Sequence, residues 1–168
     1  MQKLLLILPL SFLLTISPAS AIHISDLNLD SLWSIWHDTS QADTNRLNAI
    51  MVLSNVMQHS DPDSVLSLGH LLYGLAEEKN VAKYMAIGLN IQGIYFVKRY
   101  DLPNAIKLAT KSLQISEELG YKQGMAQSNI ILGTAYVFQG EFDKAEYYCS
   151  RSLKIAEEFG HKLAIAMA

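Results

Sequence analysis

An internal repeat of 40 residues constrains the fold of this chain more than any other feature. Met85–Gly124 and Met125–Ala164 align without a gap, and 13 of the 40 aligned positions are identical. Repetition at a fixed period of 20–50 residues is typical of stacked repeat proteins, whose extended surfaces bind partners. The repeat therefore predicts a binding or scaffolding surface rather than a catalytic pocket. The identities that matter most below are Gly93/Gly133, Ala105/Ala145, Ser112/Ser152, Glu117/Glu157 and Gly120/Gly160.

Apolar residues recur at helical spacing twice in each unit, which predicts a pair of helices per repeat and an all-α fold. Asp61-Pro62 and Asp101-Leu102-Pro103 are typical helix starts, because Asp caps the first turn and Pro is tolerated in it. Gly120 and Gly160 are expected to end the second helix of their units. The predicted architecture is about three helix pairs with a short N-terminal helix and a truncated C-terminal helix. Its segments are 45–84 as a divergent first repeat, 85–124 and 125–164 as the clear repeats, and 165–168 as the start of a further one.

Two glycines lie in the middle of predicted helices, where Gly costs about 0.5–1 kcal/mol relative to Ala. Gly93 and Gly133 are each followed by an alanine twelve residues later, Ala105 and Ala145. We expect the two helices of a unit to cross at this Gly–Ala pair, where there is no room for a larger side chain.

The same residues resemble the tetratricopeptide repeat. Leu132-Gly133-x-x-Tyr136 with Ala145 carries the resemblance, and Gln92-Gly93-x-x-Phe96 with Ala105 is a looser copy. The resemblance implies a right-handed solenoid of αα-hairpins. The chain departs from the family in three ways: its period is 40 rather than about 34, Ala109 and Cys149 replace the usual aromatic residue, and Glu117 and Glu157 stand where Pro is common. HEAT-type arrays share this period but do not explain the Gly–aromatic–Ala spacing.

The N-terminus has the three parts of a secretory signal. Lys3 is the positive start, Leu4–Ile16 is the apolar run, and Ala19–Ala21 supplies small residues for cleavage near Ala21. The alternative, a membrane anchor, needs about 20 apolar residues, more than this run contains. We therefore expect residues 1–21 to be removed and the protein to be exported to the periplasm or another extracytoplasmic space. In the following segment, 22–44, Trp33 and Trp36 are expected to belong to a short helix that covers the first repeat.

Charge and motif content exclude several functions. The formal net charge is −3, so no basic field exists to hold nucleic acid. The five histidines show no metal-ligand spacing, and no nucleophile motif or phosphate-binding loop is found, so we predict no cofactor, no metal site and no catalytic residue in this chain. The single cysteine, Cys149, cannot form an intrachain disulfide and is interpreted as a small buried residue.

The resemblance places a binding face on the inner, concave side of the array, which is lined by the first helix of each pair, and a protein or peptide of unknown identity would dock there. A second interpretation of these residues, that they pack against neighbouring units, stays open. Two other functions also stay open: an extracytoplasmic sensor part of a longer membrane signalling enzyme (a nucleotide cyclase or histidine kinase), and a structural repeat that self-associates through its uncovered C-terminal end. The predicted face consists of Ile87, Asn90, Ile94, Val97 and Lys98 in one unit and of Gln127, Ile130, Thr134, Val137 and Phe138 in the next.

Overall fold

The described part of the chain is entirely helical. The computed structural model describes residues 28–58 and 61–166, so the predicted leader 1–21 lies outside it. No strand occurs within these residues, which confirms the predicted all-α class. The helices are α1 (Leu29–His37), α2 (Asp43–Met57), α3 (Pro62–Glu78), α4 (Ala82–Lys98), α5 (Leu102–Glu118), α6 (Lys122–Gln139) and α7 (Phe142–Ala166).

The turns between α3 and α7 recur every 20 residues. The left-handed residues are Asn80, Tyr100, Gly120 and Gly140, with φ of 54°, 58°, 62° and 77°. After each of them, the next backbone N–H donates to the carbonyl five residues back, as in Val81 to Ala76 and Tyr121 to Ser116, both at 2.8 Å. This is the Schellman arrangement, which satisfies carbonyls left free at a helix end. Helix pairs therefore follow one another with a regular 40-residue repeat, although α4 and α6 begin three residues before the predicted bounds at 85 and 125.

Two predicted helix starts are confirmed. The Asp61 carboxylate accepts the Ser64 backbone N–H at 3.2 Å, and the Asp101 carboxylate accepts that of Asn104 at 3.3 Å. The Ser64 hydroxyl also donates to Asp61, and this hydrogen bond is the main reason that the pKa of the Asp61 carboxyl is lowered. Each Asp thus satisfies an N–H group that has no partner within its helix.

The apolar core falls into two clusters. The first, between α2, α3 and α4, contains Leu47, Leu53, Leu68 and Leu72, and the half-buried Trp33 and Trp36 of α1 pack against it as predicted. The second lies between α4, α5 and α6, and three of its buried residues are alanines. Its buried members are Val97, Ala105, Ala109, Leu113, Ile131, Leu132 and Ala135.

Every helix packs against its neighbour in sequence, and α4 also contacts α6 and, less closely, α2. The helices of each unit approach each other at the expected Gly–Ala pairs, but the expected lack of room for a side chain is found at Gly133 and not at Gly93, where an added Cβ would make only ordinary van der Waals contacts. A Cβ added at Gly133 would lie 3.5 Å from the carbonyl oxygen of Ala145, and one at Gly93 would lie 3.8 Å from that of Ala105. At Gly93 the nearest atom is Cγ2 of Ile131, at 3.4 Å, so α6 also reaches this crossing. None of the described helices is long and apolar enough to cross a lipid bilayer.

The predicted helix stop at Gly160 is wrong. The helix α7 passes through Gly160 and continues to Ala166, so residues 165 and 166 extend α7 instead of starting a new repeat. The equivalent Gly120 ends α5 because the chain then reverses into α6, which packs back onto α5. No helix follows α7 within the described residues, and continued helical hydrogen bonding then outweighs the modest cost of Gly inside a helix.

Candidate functional site

All ten residues of the predicted binding face lie on two helices that touch each other, α4 and α6. Their exposure divides them into three groups. Asn90 and Val97 are buried, with 4% and 6% of their surface exposed. Lys98 and Phe138 are exposed, and the other six, Ile87, Ile94, Gln127, Ile130, Thr134 and Val137, are half-buried.

Asn90 and Val97 are corrections to the predicted face, because both are buried. The Asn90 amide accepts a hydrogen bond from the Ser128 hydroxyl at 2.9 Å and donates to the Gly124 carbonyl at 3.4 Å. Val97 belongs to the second apolar cluster. Asn90 thus links α4 to α6, Val97 lies in the core between α4, α5 and α6, and neither is available to a ligand.

The remaining eight residues lie on these two neighbouring helices, and we call them the α4–α6 face: Ile87, Ile94, Lys98, Gln127, Ile130, Thr134, Val137 and Phe138. Ile87 also packs against the first apolar cluster and Ile94 against the second. It is mainly apolar. Thr134 donates its hydroxyl to the Ile130 carbonyl of its own helix at 2.8 Å, and the Lys98 ammonium donates to the Gln58 carbonyl at 3.1 Å. Two of the three polar groups of the face, those of Thr134 and Lys98, are therefore already engaged within the protein.

Tyr100 borders this face and was missed by the sequence reasoning. Its ring centroid lies 5.0 Å from that of Phe138, with the ring planes inclined by 51°. The alignment of the two repeats could have identified it, because Tyr100 aligns with Gly140, at a turn position where a bulky residue is unexpected.

A chain of buried hydroxyl and amide groups lies beneath the face. The Ser128 hydroxyl is 3.0 Å from that of Ser112, which donates to the Ala86 carbonyl at 2.8 Å. Forty residues later, the Ser152 hydroxyl donates to the Ala126 carbonyl at 3.2 Å. The same hydrogen bond thus recurs in successive repeats, and it fixes how the second helix of a unit lies on the first.

Cys149 is exposed, so its interpretation as a small buried residue is wrong. Its thiol nevertheless turns toward α6, where a Cβ at Gly133 would lie 2.6 Å from Sγ. Partial burial of the thiol raises the pKa of Cys149, which disfavours the reactive thiolate. The residue is exposed because no helix within the described residues covers α7 in the way that α6 covers α5.

A groove of about 570 Å³ lies between α3 and α5, with Leu89 and Gln92 of α4 among its lining residues. A side-chain contact spans it: the Lys111 ammonium is 2.8 Å from the Tyr73 hydroxyl, which donates to Glu77 at 2.8 Å. The equivalent contact one repeat later is a salt bridge of 2.7 Å between Arg151 and Glu117. These repeated carboxylates therefore connect successive second helices, Glu77 through Tyr73 and Lys111 and Glu117 directly through Arg151.

Within residues 28–58 and 61–166, no group of three His, Cys, Asp or Glu side chains is placed to hold a metal ion. Comparisons with protein-family models, with curated proteins and with solved structures found no match for this chain.

Proposed function

We propose that this chain is an exported, tetratricopeptide-like solenoid that binds another protein or peptide on the α4–α6 face. One observation carries the proposal: two successive helix pairs repeat the same contacts, and their first helices lie side by side with a mainly apolar surface. The repeated contacts are the Gly–Ala crossings at Gly93 and Gly133 and the hydrogen bonds of Ser112 and Ser152.

The composition of the face favours a peptide or a helix over a small charged ligand. Ile94, Ile130 and Val137 present partly exposed aliphatic groups, and Lys98, its one charged residue, is hydrogen-bonded to Gln58. Burial of apolar area stabilises a complex by about 25 cal/mol per Å² before association costs are subtracted. Affinity would therefore come from aliphatic and aromatic contacts, with Gln127 fixing the orientation of the bound chain.

The docking proposal is tested by capture from a periplasmic extract. Immobilised protein is compared with Val137→Asp, which places a charge in the middle of the face. The matched control is Leu71→Asp, because Leu71 is 42% exposed but lies on α3, which contributes no residue to the face. A partner retained by the wild type and by Leu71→Asp, and lost with Val137→Asp, supports the proposal. Equal retention by all three proteins contradicts it, provided that circular dichroism shows the three folded alike.

The export proposal has a separate test. The full coding sequence is expressed in a bacterium, the periplasmic fraction is released by osmotic shock, and the recovered protein is weighed by mass spectrometry. A mature chain that begins at Ile22 supports cleavage after Ala21. A protein that stays with the cytoplasmic fraction and retains Met1 contradicts export.

A further inference from the structure

The groove between α3 and α5, which we call the α3–α5 groove, is positively charged although the chain as a whole is acidic. Lys107 and Lys111 line it on α5 and His70 lines it on α3, and no aspartate or glutamate is among the lining residues that the structure describes. The formal net charge of the chain is −3, so this local charge is opposite in sign to the average. A concave surface lined by one sign of charge concentrates the electrostatic field and attracts the opposite charge. The groove therefore favours an anionic ligand.

Lys111 lacks the carboxylate partner that its counterpart has one repeat later. Arg151, which aligns with Lys111, forms a salt bridge of 2.7 Å with Glu117. In the α3–α5 groove the Tyr73 hydroxyl stands between the two charges, because it donates to Glu77 and accepts from Lys111, both at 2.8 Å. The Lys111 ammonium therefore forms no salt bridge with any residue that the structure describes.

Lys107 precedes Lys111 by one helical turn on the same side of α5, and both side chains are exposed. Lys107 has no hydrogen bond or salt bridge within the described part of the chain. Like charges four residues apart on a helix repel each other. An anionic ligand would reduce this repulsion and give both ammonium groups a partner.

The groove also has apolar walls and a closed floor. Leu89 and Gln92 form the floor and are 3% and 4% exposed. Leu108 on α5 and Tyr73 on α3, both half-buried, flank it. Its lining on α5 runs from residue 107 to residue 114, a length of about 10 Å along the helix, which about three extended residues also span. The groove therefore matches a short peptide segment that carries an apolar side chain.

We propose that the α3–α5 groove binds an acidic segment of a partner protein. Carboxylates of that segment meet Lys107 and Lys111, and an apolar side chain between them contacts Leu108. One carboxylate on one exposed lysine is held weakly, because water and salt screen the pair. Affinity therefore requires several contacts at once, which a peptide supplies and a small free anion does not. A flat membrane surface does not reach the floor at Leu89. The groove shares no residue with the α4–α6 face, so this is a second site beyond the proposed docking function.

The test mixes fluorescein-labelled Asp-Glu-Leu-Glu-Asp amide with the full chain at low ionic strength and follows binding by fluorescence anisotropy. Wild type is expected to bind this peptide and not Asn-Gln-Leu-Gln-Asn amide, which has nearly the same shape without the charges. A peptide with Gly in place of the central Leu should bind more weakly, because the apolar contact is lost. Absence of binding by the acidic peptide, or equal binding of the amide peptide, overturns the proposal.

Substitutions locate the binding in the groove. Lys107→Gln and Lys111→Gln should each raise the Kd about threefold and together about tenfold, as for exposed ion pairs whose effects add. Lys154→Gln is the matched control and should leave the Kd unchanged, because it removes the same charge from an exposed position of α7, which does not line the groove. Equal effects of the three single variants mean that binding follows net charge alone, and they overturn the proposal. Lys107→Gln loses no described contact, so circular dichroism should show it folded as wild type.

Vesicles containing phosphatidylserine test a membrane as the alternative acidic surface. Wild type and the double lysine variant are expected to bind them equally weakly. Vesicle binding that is tighter than peptide binding and is lost in the double variant assigns the lysines to a membrane and overturns the proposal. The capture experiment with Val137→Asp depends on other residues, so the docking function and the acidic-segment site fail separately.

Discussion

Gly133 lies directly against Cys149, since a Cβ added to the glycine would come within 2.6 Å of the thiol sulfur. The backbone of α7 is close behind, with the Cys149 nitrogen at 3.5 Å from the same point. A large side chain at position 133 therefore has to separate α6 from α7. We expect Gly133→Leu to lower the free energy of unfolding by about 1–3 kcal/mol through overpacking, measured by urea denaturation.

Two variants control this prediction. Gln114→Leu adds the same side chain at an exposed position of α5 and should change stability by no more than about 0.5 kcal/mol. Gly133→Ala should lower the free energy of unfolding by less in a Cys149→Ala background than in the wild type, because the sulfur atom that crowds the new methyl group is then absent. If Gly133→Leu is as stable as wild type, the close crossing of α6 and α7 is wrong.

Leu113 and Leu153 occupy the same position in successive repeats but differ in burial. Leu113 is 7% exposed in the cluster between α5 and α6, and Leu153 is 57% exposed on α7. We expect Leu113→Ala to lower the free energy of unfolding by about 2–4 kcal/mol, as buried Leu→Ala changes do. Leu153→Ala should lower it by no more than about 0.5 kcal/mol. Urea denaturation of the two variants side by side measures the difference.

Variants of Leu153 also test whether the chain self-associates through its C-terminal helix α7, the end at which the sequence analysis left self-association open. If a second copy covers Leu153, the cost of Leu153→Ala should rise with protein concentration, and sedimentation should show dimers that Leu153→Glu dissociates. A cost that is small and independent of concentration means that α7 is not an interface between copies of this chain.

The repeat made much of the fold predictable, for a physical reason. Gly93 and Gly133 are costly within a helix unless another backbone approaches them, so their recurrence with Ala105 and Ala145 pointed to the crossings that the structure contains. The predicted helix end at Gly160 was wrong, because a glycine permits a left-handed turn but does not by itself stabilise one. At Gly120 the turn is stabilised because α6 packs onto α5. After Gly160 no equivalent helix follows within the described residues.

The candidate site was less predictable, because helical spacing gives the direction of a side chain but not what stands in front of it. Asn90 and Ile94 lie on one predicted side of α4, yet α6 buries Asn90 through Ser128 and Gly124 and leaves Ile94 half-exposed. Tyr100 was missed for a different reason: its place depends on a turn conformation, and apolar periodicity does not report on turns.

The Ser128 hydroxyl lies where three helices meet, and its single proton can be donated to one of three nearby oxygen atoms. Its Oγ is 2.9 Å from the Asn90 amide oxygen on α4, 3.0 Å from the Ser112 hydroxyl on α5 and 2.9 Å from the Gly124 carbonyl of its own helix. Ser128→Ala leaves the buried Asn90 oxygen without this donor, so we expect a loss of about 1–3 kcal/mol in the free energy of unfolding.

The control for Ser128 is Ser150→Ala, whose hydroxyl donates to the Tyr147 carbonyl at the surface of α7. It should change the free energy of unfolding by less than about 0.5 kcal/mol. Equal effects of the two serine variants would mean that the buried network contributes nothing beyond an ordinary surface hydrogen bond.

Alkaline pH should destabilise the fold through Tyr84 and Tyr121. Burial raises the pKa of both phenols, while the hydrogen bond from Tyr84 to Asn48, 2.6 Å long, lowers that of Tyr84 by less. The folded state therefore holds these protons more tightly than the unfolded chain, in which a tyrosine pKa is about 10. The stability is fully present below that pH and is lost as the pH rises through the folded-state pKa values.

The measurement for this prediction is the urea midpoint between pH 8 and 11. Tyr121→Phe removes one of the titrating groups, so its midpoint should fall less steeply above about pH 10 than that of wild type. The urea midpoint of Tyr84→Phe should show the same shallower dependence on pH. It should already be lower than that of wild type at pH 8, because this variant also loses the hydrogen bond to Asn48, worth about 0.5–1.5 kcal/mol. Tyr147→Phe, at an exposed position, should follow the wild-type curve. Parallel curves for all four proteins would show that Tyr84 and Tyr121 ionise as freely in the fold as in the unfolded chain, and that neither ring is held between the first helices as the structure places it.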